Sequence, residues 1–150
     1  MRFSDAKKPV ALAAGILEDA GRIFFLCLQT ERGDVLELPS ALLSQGDEPL
    51  SALAAVFLEY AKIDAQVHEV VFEDRYNAGS RKRKSFVPAL LFRVTAKKKN
   101  AKISPPYSGF RWLSFKDAAA AKLSRKSEWL KKFLLYNKGD ADKGDARRST

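Results

Sequence analysis

From Arg75 to Lys116 the chain holds twelve lysines and arginines and not one aspartate or glutamate. Side chains of this type are suited to neutralising phosphate oxygens, and so one-sided a segment is a concentrated source of positive potential. The densest run, Arg81-Lys82-Arg83-Lys84, reads either as phosphate contact or as a solvated hairpin loop whose charge discourages aggregation. Lys97-Lys98-Lys99 follows about twelve residues on, on the order of 40 Å away if the intervening chain is extended. The two runs therefore make two patches as readily as one. A long polyanion such as RNA reaches both, whereas a mononucleotide does not. Tyr76, Phe86, Tyr107, Phe110 and Trp112 are interleaved with these cations and could stack on bases, although alternating burial in strands is expected to hide most of them. Tyr107, in a proline-containing loop, is the one expected to be exposed. The candidate contacts to nucleic acid or phosphate are thus Arg75, Arg81, Lys82, Arg83, Lys84, Lys97, Lys98, Lys99 and Tyr107.

Other chemistries lack material. His68 is the single histidine and has no cluster of cysteines or acids around it, which argues against zinc coordination and against a nucleophilic triad. Cys27 is the single cysteine, lies inside the apolar run RIFFLCLQT, and reads as a buried structural thiol. The net charge of +9 points to polyanionic partners or to solubility. The N-terminal apolar stretch is about nine residues long, where a membrane span needs roughly 20, and it lacks the pattern of a secretory signal. No membrane association and a cytoplasmic address are the expectation.

The elements that would position these residues follow from periodicity. Pro9 to Glu18 and Arg22 to Thr30 are β-compatible runs joined by the turn Asp19-Ala20-Gly21, which predicts a hairpin. A short strand over Val35 to Leu38 precedes a loop from Pro39 to Gly46 with no strand alternation. Gly46-Asp47-Glu48-Pro49 places acids and a proline where a helix N-terminus favours them, so a helix starts near Asp47 or Glu48. Leu50, Leu53, Ala54, Phe57, Leu58 and Ala61 give it an apolar side. His68 to Tyr76 and Ser85 to Ala96 are expected antiparallel neighbours around the polar loop 77–84, followed by a strand over Phe110 to Ser114. An alanine-rich segment from Phe115 to Lys122 leads to a final amphipathic helix marked by Leu123, Leu130, Phe133 and Leu134. The order β, β, β, helix, β, β, β, helix predicts an α+β fold with helices packed on a mixed, mostly antiparallel sheet. Residues 1–137 read as one domain and 138–150 as a disordered polar tail.

The segment Leu38 to Ile63, LPSALLSQGDEPLSALAAVFLEYAKI, resembles the Nudix box, G-x5-E-x7-R-E-U-x-E-E-x-G-U, where U is aliphatic. Leu38-Pro39, Gly46-Asp47, Ala52 and Ile63 match its frame without a gap. Phe110 to Ala118 is also similar to the family's last strand entering a helix. The resemblance implies a Nudix-like α/β/α sandwich across about Pro9 to Leu135. In the family, carboxylates at the positions of 56, 59 and 60 share one helix face and hold magnesium against a diphosphate, activating water. In this chain Ala41 stands for the first glycine, Asp47 for the first glutamate and Ala55 for the arginine. Val56 stands for the next glutamate, Tyr60 for the last one and Lys62 for the final glycine, and only Glu59 remains. A further glutamate on a later loop often serves the family as ligand or base, and the acid-free segment supplies none, with Glu73 and Asp74 the nearest.

The expectation is a Nudix-like domain with a degenerate box that requires no cofactor and binds a nucleotide or RNA through its basic segment. The alternative is a magnesium-dependent hydrolase of nucleoside diphosphate compounds with Glu59 and Asp47 as metal ligands and Glu48 assisting, magnesium being needed only in that case. A third reading is a protein-interaction scaffold, as a homodimer or with a partner protein.

Overall fold

A computed structural model describes residues 8–137. Six consecutive residues of the first strand, β1 (Pro9–Asp19), are buried from Leu12 to Leu17, the mark of a strand covered on both faces. It pairs with three partners. Along one edge it runs parallel to β6 (Phe86–Ala96), from Leu12↔Ala89 to Leu17↔Val94. Along the other it is antiparallel to β4 (Ser40–Ser44) over its first half. Only at its end does it meet β2 (Arg22–Thr30), through Glu18↔Ile23 and Asp19↔Arg22. The expected hairpin is present, turning at Ala20 and Gly21, both with positive φ, but its strands diverge after two pairs. β4 corrects the expectation of a structureless loop over 39–46. Its partner lies far back in sequence, so no local alternation could announce it.

β3 (Gly33–Glu37) and β7 (Gly109–Ser114) flank β2, both antiparallel to it. β5 (Ala65–Asn77) is antiparallel to β6 and forms the far edge, giving the path β3-β2-β1-β6-β5. The sheet is thus mixed and mostly antiparallel, as expected. On one face α1 (Pro49–Ala61) packs against Ala13, Leu17, Phe24, Leu26, Phe92 and Val94. On the other, α2 (Phe115–Ala120) and a helical segment over 130–137 pack against Leu12, Ala14, Ile16, Phe25 and Leu91. The final helix is expected from Leu123, but the chain is helical only from 130. Residues 122–124 instead lie along β3, with an isolated bridge between Leu123 and Leu36. Residues 138–150, expected to form a polar tail, lie outside the described residues.

α1 begins where the acids and proline place it. Glu48 is the N-cap and accepts the Ser51 amide at 3.0 Å, with Pro49 opening the first turn. The apolar side is narrower than periodicity suggests. Leu53, Phe57 and Ala61 are buried, but Leu50 and Leu58 are 41% and 56% exposed, because the helix touches the sheet along a single i, i+4, i+8 stripe. It ends at Lys62 with φ 57 and ψ 32, where the Ile63 amide reaches back to the Phe57 carbonyl at 3.2 Å. Lys62 stands where the resemblance places a glycine, and its conformation is one that glycine adopts without steric cost. Lys62→Gly is expected to raise unfolding free energy by about 0.5–1 kcal/mol, read as a higher urea midpoint at unchanged slope.

Candidate functional site

The acids that could hold a metal do not converge. Asp47 Oδ2 accepts the Ser44 amide at 2.8 Å, closing the turn before α1, and Glu48 is occupied as the cap. Glu59 lies eleven residues beyond Glu48, about 16 Å along the helix axis. Its side chain is exposed, and its carbonyl receives Lys62 Nζ at 3.2 Å. No group of three or more histidine, cysteine or acidic side chains suited to a metal ion exists among the described residues.

At Tyr60, where the resemblance places a glutamate, the ring meets Tyr107 edge-on, with ring centroids 5.3 Å apart and planes at 80°. This corrects the expectation that Tyr107 is an exposed stacking residue, for it is only partly exposed and engaged at both ends. Its hydroxyl donates to Glu37 Oε2. Glu37 is 4% exposed, and its other oxygen accepts the Ser124 hydroxyl at 2.7 Å. Burial, and then the bond to Glu37, hold the Tyr107 phenol well above its ordinary range. The loop after β6 is fastened to α1 by backbone bonds as well, from the Lys102 amide to the Ala61 carbonyl at 2.8 Å and from the Ser104 amide to the Tyr60 carbonyl at 3.0 Å. Tyr60, Tyr107, Glu37 and Ser124 thus form one polar-aromatic cluster at the end of α1. Sequence reading does not single out Glu37. Its signal is a lone carboxylate inside the apolar run Val35-Leu36-Glu37-Leu38, and carboxylates in such runs need dedicated partners.

The basic run 81–84 sits in a built loop. Asn77 Oδ1 accepts the amides of Gly79 and Ser85 at 3.0 and 2.9 Å, and the Ser80 hydroxyl accepts the Arg83 amide at 2.9 Å. The Arg125 guanidinium donates to the Asn77 carbonyl at 2.9 Å and to the Gly79 carbonyl. A Cβ on Gly79 would lie 2.1 Å from the Arg83 carbonyl oxygen, so glycine is required for this turn. Arg81, Lys82, Arg83 and Lys84 are all exposed on it. Lys97, Lys98 and Lys99 lie at the opposite end of β6, so the runs form two patches. Lys97 and Lys98 border a hollow shared with Asp64, and Lys99 Nζ stands 4.0 Å from Asp19 Oδ1. That second patch is diluted by acids.

Two further aromatics depart from expected burial. Phe86 is 50% exposed, with the Arg75 guanidinium 4.7 Å from its ring centre, and Phe110 is 39% exposed while stacked on Phe24. A cavity of about 900 Å³ opens on the face away from α1, between Ile16, Val71 and Phe133. Its rim includes Arg93, which Glu69 engages through two nitrogens at 2.9 and 3.1 Å. It shares no residue with the cluster around Tyr60 or with the basic loop.

A three-layer sandwich of this topology, with a loop-helix-loop segment against a mixed sheet, defines the Nudix fold. Solved structures agree. The chain is similar to the E. coli ORF135 protein with a TM-score of 0.67 and 16% identity, covering 89% of this chain and 93% of that one. It is similar to the NUDIX domain of Shewanella oneidensis NrtR, solved with ADP ribose, with a TM-score of 0.63 and 9% identity over 92% and 93%. It is similar to a C. elegans Ap4A hydrolase with a TM-score of 0.60 and 15% identity over 84% and 93%. No protein-family model matches the chain, and no curated protein matches it. The chain has the Nudix fold. No helix among the described residues is long and apolar enough to cross a membrane.

Proposed function

We propose that this chain is a Nudix-fold domain that binds RNA through the basic loop between β5 and β6 and does not hydrolyse diphosphates. The carrying observation is the loop's construction. Four consecutive cations are presented on a turn whose backbone is held by Asn77, Ser80, Gly79 and Arg125, and a preorganised loop loses less entropy on meeting phosphates than a mobile one. The donor set on α1 does not fit magnesium. Magnesium is held by one or two carboxylates with waters and substrate phosphates completing its octahedron, and positions 56, 59 and 60 offer valine, a single exposed glutamate that would grip it weakly, and a tyrosine engaged with Tyr107.

A second reading is a domain that binds a nucleotide rather than RNA. It is favoured by the ADP-ribose complex of the similar NrtR domain. The test pairs two measurements on the full chain. A panel of diphosphate compounds with magnesium or manganese is expected to give no turnover, while labelled RNA is expected to bind with affinity that falls steeply as salt rises. Turnover abolished by Glu59→Gln would instead establish the hydrolase, with Asp47 and Glu48 to be tested next. RNA binding indifferent to salt and to the loop would leave a scaffold role.

A further inference from the structure

Resting on the RNA reading above, we infer that Phe86 and Arg75 form a stacking platform for an unpaired base, making the ligand single-stranded rather than duplex RNA. Phe86 opens β6 two residues after Lys84, at the foot of the loop that carries the four cations. By strand alternation it shares a sheet face with Phe92 and Val94, which α1 covers. α1 does not reach this end of β6, and Phe86 is left 50% exposed. Pro88, two residues on, is exposed on the same face. Arg75 pairs with Pro88 and lies diagonal to Phe86, with its guanidinium 4.7 Å from the ring centre. Glu73, paired with Leu90, marks where the cationic surface ends.

A half-exposed phenylalanine beside a structured cationic loop has a specific chemical use. Its ring and the guanidinium plane are surfaces on which a base stacks, while the loop's cations take the adjoining phosphates. Bases inside a duplex are already stacked on their neighbours and cannot lie on the ring. The pairing of one platform with one short cationic run fits a few nucleotides of unpaired strand. It also accounts for the exposure of an aromatic residue that alternation alone would assign to the core.

The experiment is fluorescence anisotropy of the full chain with a labelled oligouridine, the same backbone carrying abasic sites, and an RNA duplex of equal length. The oligouridine is expected to bind most tightly. Phe86→Ala and Phe86→Leu should each weaken it on the order of 10-fold, with an unchanged salt slope and no further loss of the lower affinity that the wild type has for the abasic strand. Phe86→Trp should keep the affinity and show quenched indole emission on binding. Wild-type affinity in Phe86→Ala, or equal binding of duplex and single strand, overturns the platform while leaving RNA binding intact. Binding to none of the three overturns both.

Discussion

Changing Arg81, Lys82, Arg83 and Lys84 together to alanine is expected to weaken RNA binding by at least about 100-fold at low salt and to flatten its salt dependence by about three units of slope. The magnitude follows from counterion release, since each phosphate neutralised on a single strand contributes about 0.7 to the slope. All four side chains are exposed, so the folded state should be unaffected, and an unchanged urea midpoint is the control. The corresponding change at Lys97, Lys98 and Lys99 should have a much smaller effect, because that patch sits among Asp19 and Asp64. Titrations of both variants at several salt concentrations decide it. Equal losses from the two patches would mean that net charge, not the built loop, attracts the RNA.

The second large effect concerns the cluster at the end of α1. Tyr107→Phe leaves the Glu37 carboxylate, 4% exposed, with only the Ser124 hydroxyl as side-chain donor among the described residues, and should destabilise the fold by about 2 kcal/mol. The pH dependence has a definite sign. A phenol held above its ordinary value of about 10 is neutral in the fold after it has ionised in the unfolded chain. Its stabilisation is therefore fully present below about pH 10 and is lost as pH rises beyond it. Urea unfolding of wild type and variant at about pH 8 and about pH 10.5 should show the gap narrowing at the higher value. A gap that is absent at the lower pH, or that widens at the higher one, would mean that the Tyr107 hydroxyl does not stabilise the buried carboxylate.

Several features were legible because they are local. Glu48-Pro49 and the apolar stripe through Leu53, Phe57 and Ala61 mark α1 within its own 13 residues and the cap before them. The spacing from Leu38-Pro39 to Ile63 carries the resemblance that the fold bears out. The acid-free basic segment is visible by inspection, and so is the presence of Val56 and Tyr60 where the resemblance would place glutamates. Less was legible where a residue's role depends on a distant partner. β4 is a strand because β1 supplies its hydrogen bonds, and Leu50 and Leu58 are exposed because only one stripe of α1 touches the sheet.

The sequence alone determined the type and order of most elements, the position of α1 and the sign of the charge, since these depend on propensity and periodicity within a few residues. Tertiary structure decided that Tyr107 meets Glu37 across seventy positions, that Arg125 reaches back to steady the basic loop, and that Phe86 lies beyond the cover of α1. Those contacts come from how layers stack and where they stop. No periodicity within a short window carries that information.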